Sequence, residues 1–232
     1  MKDFKKHIYL LAGVACFSVI ASASPIGQAS ITNCTPGGGV QVTAVSITWL
    51  PVAGTSLGCI ATGIPTSITY SGGTFTSGTG TISDLPGGSI NPFMVLAGGL
   101  LDFSLSSFQA PAPTNGVCST TTALASGLSC VTAVGSPFLL ISQGTSTAIS
   151  LITLGVATDT GNSSTSPYQG LFTTQLPVTT AQIAAAIDAG GTVSNTYSAT
   201  LIVGTPEPGT VSMFLLGGVA LLGIGRKRFG KR

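Results

Sequence analysis

With 44% apolar and only 6% charged residues, a chain of 232 residues can bury a core but carries few groups for ionic chemistry. All 8 basic residues lie at the ends: Lys2, Lys5 and Lys6 at the start, Arg226, Lys227, Arg228, Lys231 and Arg232 at the finish. Between 24 and 225 there is no Lys, Arg or His, and Asp84, Asp102, Asp159, Asp188 and Glu207 give a formal −5, which excludes nucleic acid as a partner because no phosphate can be neutralised there.

Residues 1–7 form a basic leader and 8–21 an apolar run of 14 residues, followed by Ala21-Ser22-Ala23. That is the three-part pattern of a secretory signal, with cleavage after the small residues Ala21 and Ala23 and before Ser24. The run is shorter than the roughly 20 residues that span a bilayer. Export machinery of the Sec type and a signal peptidase are the partners this implies. A lipoprotein signal at Cys16 would need a Leu-like residue where Gly13 stands. Of the 5 cysteines, Cys16 leaves with the signal, so Cys34, Cys59, Cys118 and Cys130 remain as disulfide candidates. Three pairings are open, and the local one closes the shortest loops. A zinc site lacks both C-x₂-C spacing and a histidine.

Residues 24–204 read as one Ser/Thr/Gly-rich β ectodomain. Val40, Val42 and Ala44 alternate with polar residues, then the phase shifts to Val45, Ile47 and Trp49, as a β-bulge would cause. Further strands are expected at 67–70, 74–82, 100–108, 137–142, 148–157 and 196–203, with reversals at Ser71-Gly72-Gly73 and Leu85-Pro86-Gly87-Gly88. One Ala-rich segment, 179–188, predicts a short helix with a Thr cap and a Gly190-Gly191 stop, packed on a sheet edge through Ile183 and Ile187. Close-set strands without βαβ alternation point to an all-β antiparallel sandwich or jelly roll. A weakly charged sheet protein of this kind is also prone to self-association.

The missing His, Lys and Arg exclude Ser-His-Asp and Cys-His catalysis, lysine Schiff bases and arginine clamps in this segment. Asp159-Thr160-Gly161 spells the D-T-G of aspartic proteases, but Asp84, Asp102 and Asp188 offer no second copy, so a turn is expected. Asp159 and Asn162 also begin a loop, 159–166, whose oxygens lack EF-hand spacing; it reads as polar surface. No catalytic residue, cofactor or metal is assigned, and the protein is expected not to be an enzyme. Hydroxyl-rich strands such as 74–81 are of the type that binds carbohydrate or, less readily, ice. Trp49 and Tyr70 are the aromatic candidates for such a face, with the core as their expected place.

The last 28 residues, 205–232, form a distinct segment. Pro206-Glu207-Pro208 holds the backbone extended and out of any sheet. An apolar run of 16 residues at 210–225 follows, a helix of roughly 24 Å, and Arg226-Lys227-Arg228 closes it as a stop-transfer cluster. Both basic ends belong on the cytoplasmic side, which puts everything between them outside. These residues resemble the PEP-CTERM sorting domain, a Pro-Glu-Pro motif before a short membrane helix and a basic tail. Thr205 and Gly209 depart mildly from that family's commoner choices. The resemblance implies recognition at Pro206, Glu207 and Pro208 by a membrane enzyme of the exosortase type, with processing near the motif. It also implies passage through the inner membrane to the cell surface or an extracellular matrix, in contact with cell envelope or extracellular polysaccharide. A sortase signal is not supported: in Leu176-Pro177-Val178-Thr179-Thr180, Thr180 fills the Gly position far from the apolar run. The expected function is an exported surface or matrix protein of structural or adhesive type; the alternative is a carbohydrate-binding module.

Overall fold

Strands in this chain pair with their sequence neighbours in turn, and the last one returns to the first. A computed structural model describes residues 24–35, 38–44, 46–50, 57–85 and 90–204. The chain enters on β1 (Ile26–Asn33), makes a hairpin of β2 (Gly39–Val42) and β3 (Ile47–Leu50), and comes back on β4 (Gly58–Tyr70). β5 (Gly73–Phe75) and β6 (Thr79–Ile82) run along the other edge of β4, followed by β7 (Ile90–Leu96), a 3₁₀ turn (Ala97–Gly99) and β8 (Leu101–Phe108). Then come β9 (Ser129–Val131), β10 (Leu139–Ser142), β11 (Thr147–Asp159), β12 (Ser164–Leu176), helix α1 (Thr180–Asp188), β13 (Val193–Asn195) and β14 (Ser198–Val203).

Eight strands close into a ring in the order β1-β4-β6-β7-β8-β11-β12-β14, with Gly27 of β1 opposite Val203 of β14 and every pair antiparallel. Ring order equals chain order, so this is an up-and-down barrel, and the expected sandwich or jelly roll is corrected. The error has a physical cause. Alternation reports one buried and one exposed face per strand, which sandwiches and barrels share; what separates them is the β14–β1 pairing between the two ends of the domain. Closure also leaves the eight ring strands without a free edge.

Two other expectations change. The phase shift after Ala44 is a hairpin loop, not a bulge: Val42 pairs with Ile47, and the Thr43 N–H donates to the Ser46 carbonyl at 3.0 Å. The segment 74–82 is two strands, β5 and β6, both paired to β4. The turn after Tyr70 stands as expected, with Tyr70 opposite Gly73; in the second reversal only Leu85 falls within the described residues. The helix also stands, and Thr179 and Gln182 cap each other in a capping box. Ile183 and Ile187 are buried, against a neighbourhood that includes β10 and β13.

Side chains fill the barrel. Ile31, Ile60, Phe93, Phe103, Leu105 and Leu201 are buried inside it, while Gln28, Thr32 and Thr200 on the same strands face solvent. Phe103 meets Tyr168 nearly edge-on at 5.2 Å, and Phe93 meets Phe172 at 6.1 Å, geometries that add about 0.5–1.5 kcal/mol per pair to the area buried. The wall bends where β11 changes register against β8, at Gly155; a Cβ there would lie 1.9 Å from the Ser104 carbonyl oxygen.

The two rims differ. Gly27 and Val203 stand side by side at one, which we call the terminal rim. Its connections are compact: the Ser71-Gly72 turn into β5, residues 97–100, and residues 160–163. Every large insertion sits at the far rim. There β2 and β3 follow β1, β9 and β10 follow β8, and α1 and β13 follow β12, with β13, β2 and β3 forming a second, three-stranded sheet.

Candidate functional site

Ala21 and Ala23 of the expected signal, the expected motif Pro206, Glu207 and Pro208, and the cluster Arg226, Lys227 and Arg228 lie outside the described residues. The cysteines pair locally, Cys34 with Cys59 (Cα–Cα 5.5 Å) and Cys118 with Cys130 (5.0 Å). Formed disulfides fit an oxidising compartment outside the cytoplasm. Both lie toward the far rim, the first joining the end of β1 to the start of β4, the second tying the loop before β9 to that strand.

Asp159, from the D-T-G triplet, is buried at the terminal rim. Its Oδ2 accepts the Ser71 N–H at 2.6 Å and its Oδ1 the Gly161 N–H at 2.9 Å. Burial acts to raise its pKa, but the hydrogen bonds from Ser71, Gly161 and Asn162 outweigh it and hold the carboxyl below its ordinary value. Next to it, Thr160 donates through N–H and hydroxyl to the carbonyls of Leu100 and Gly99. Three hairpin tips are thereby tied together. Asn162 Oδ1 accepts the Ser164 N–H at 2.9 Å, so the loop's oxygens serve backbone donors. Among the described residues no group of three or more His, Cys, Asp or Glu is placed to hold a metal ion.

At the far rim, Trp49 on β3 plugs the barrel mouth. It is buried against Tyr197 (4.6 Å, edge-on) and Phe172 (5.2 Å). Gly58 leaves room for it: a Cβ there would stand 2.3 Å from Trp49 Cβ. Trp49 is therefore a core residue, as expected, and Tyr70 packs partly buried against the same core. Among the described residues the Trp49 indole N–H is buried with no hydrogen-bond partner. The Tyr197 hydroxyl donates to the Cys59 carbonyl at 3.2 Å, and burial pushes its pKa up.

Beside the plug opens a cleft of about 490 Å³, formed where Gln143 after β10, Thr173, Thr174 and Gln175 of β12, Asn195 of β13 and Ser198 of β14 converge. Its lining is amide and hydroxyl without a charged side chain. Gln175 Nε2 donates to Gln143 Oε1, Asn195 Nδ2 donates to the Gln175 carbonyl, and the Thr173 and Ser198 hydroxyls pair at 3.0 Å. Among the described residues the Gln143 amide NH₂ and Gln175 Oε1 keep unused capacity, because the pairs above engage only one end of each. A void of about 20 Å³ is lined mostly by apolar side chains, Val40, Ile47, Trp49, Phe138 and Leu151 among them, and shares Thr173, Thr174 and Tyr197 with the cleft. Sequence reasoning missed this site. Its amides stand 20 to 32 positions apart in the chain, and no spacing marks them; the β10–β11 and β11–β12 pairings and the insertion that carries β13 unite them.

A second, larger concavity of about 710 Å³ at the same rim is apolar, walled by Phe108, Pro111, Pro113, Val131, Val134 and Pro137. Among the described residues no helix is long and apolar enough to cross a membrane.

These features define a closed up-and-down antiparallel β-barrel with a plugged, one-sidedly elaborated mouth. No protein-family model matches the chain, and no curated protein or solved structure matches it either.

Proposed function

We propose that this protein is an exported barrel of structural or adhesive type, displayed at the cell surface or in the extracellular matrix. In this reading it is delivered by its N-terminal signal and sorted through the PEP-CTERM-like segment at Pro206, Glu207 and Pro208 by an exosortase-type enzyme. The observation that carries it is the confinement of every basic residue to the two ends of the chain, flanking an ectodomain without one. The one-sided architecture supports it. The described chain begins and ends at a single rim, so an anchor after Gly204 would leave the elaborated far rim pointing away from the membrane.

The test is intact-mass spectrometry of the exported protein with protease accessibility of intact spheroplasts. Loss of residues 1–23, two disulfides and a shortened C-terminus near Pro206 are expected. A full-length, protease-protected cytosolic product would overturn the reading.

A second reading, favoured by the cleft beside Trp49, is carbohydrate binding at the far rim. Amides and hydroxyls that are donor and acceptor at once match sugar hydroxyls, and barrel mouths are common binding places. Retention of the purified protein on a polysaccharide matrix supports this reading; passage through every matrix tried removes it.

A further inference from the structure

We infer that the amide-lined cleft takes an uncharged glycan, and that acidic polysaccharides are not its ligands. This rests on the second reading above and narrows it.

The first ground is charge. Uronates, sulfates and phosphates in a polysaccharide call for Lys, Arg, His or a bound cation. The ectodomain holds no basic residue from 24 to 204, and Asp84, Asp102, Asp159 and Asp188 give it a field that repels polyanions. The second ground is the lining. Gln143 offers unused amide donors and Gln175 an unused acceptor at the same edge, while the Thr173–Ser198 pair adds hydroxyls that both give and receive. A neutral sugar presents the same dual groups, and matching them involves no ion desolvation.

The test is affinity electrophoresis of the exported protein, purified in mild detergent, through gels containing dextran, β-glucan, alginate or polygalacturonate. The comparison is with a Gln143→Ala/Gln175→Ala variant of exposed cleft residues, checked for fold by circular dichroism. Retardation by a neutral polymer, unchanged between about 50 and 500 mM salt and weakened at least about tenfold in the variant, supports the inference. Retardation by the acidic polymers alone overturns it while leaving carbohydrate binding standing. Neutral binding that the variant keeps overturns the assignment to this cleft. No retardation in any gel overturns both the inference and the carbohydrate reading, but not the export and display of the protein.

Discussion

The Asp159 carboxylate accepts the backbone N–H of Ser71 across 88 positions of sequence, at 2.6 Å, and so binds the β11–β12 hairpin to the β4–β5 turn. Asp159→Ala leaves that N–H and the Gly161 N–H without their acceptor. Each lost partner is expected to cost about 1–3 kcal/mol, read as a lower midpoint in urea. An unchanged midpoint would remove the rim lock.

Acid should act through the same residue. The folded carboxyl is held below the unfolded value of about 3.9. Its contribution is therefore complete above that value and is lost as pH falls through the folded one. The melting temperature should decline below about pH 4 in the parent and decline less in Asp159→Asn. Parallel acid limbs in the two proteins would contradict this.

Gly58→Ala places a methyl 2.3 Å from Trp49 Cβ and 2.8 Å from Ile82 Cγ2, with backbone fixed in β4. Overpacking of this type costs about 1–3 kcal/mol. Because Trp49 is the sole tryptophan in the chain, its fluorescence reports the plug directly. Blue-shifted emission shielded from iodide is expected in the parent, and a red shift in the variant. Parent emission at the wavelength of free indole would show that the mouth is open.

Non-reducing peptide maps should give Cys34 with Cys59 and Cys118 with Cys130. Replacing either pair by Ser should lower stability by about 2–4 kcal/mol. Any crossed peptide, such as Cys59 with Cys118, would refute the pairing.

Alkaline titration should report the two buried phenols. Burial pushes the phenols of Tyr168 and Tyr197 above the ordinary value of about 10, Tyr168 being partly relieved by the neighbouring Thr153 hydroxyl. Both should stay protonated past that pH until the fold opens, and the stability they contribute, complete below about 10, should fall as pH rises beyond it. Absorbance at 295 nm follows this; full tyrosinate formation with native circular dichroism would contradict it.

Local signals in the sequence carried local structure. The Thr cap and the Gly190-Gly191 stop foretold the helix, the run 100–108 foretold a strand that stands as β8, and Ser71-Gly72-Gly73 foretold its turn. Pairing at a distance left no such mark. β1, with Gly27 and two small residues among eight, and β12, opening on a run of Ser and Thr, look like loop. Yet they are ring strands, because neighbours on both sides supply their hydrogen bonds and give Ile31 and Phe172 an interior to fill. The cleft was hidden for the same reason, since Gln143, Gln175 and Asn195 meet only through the β10–β11–β12 pairings and the insertion that carries β13. Asp159 was noticed as a triplet, but the partner that explains it, Ser71, is remote.

The adjacency of Gly27 and Val203 has a mechanical side. Any pull on the chain beyond Gly204 runs lengthwise along β14, which β1 and β12 grip on its two edges over most of its span. Tension in that direction loads the interstrand bonds together, in shear, instead of peeling them one after another. Force applied at the opposite mouth against a hold on the chain after Gly204 would thus be met by the whole seam at once.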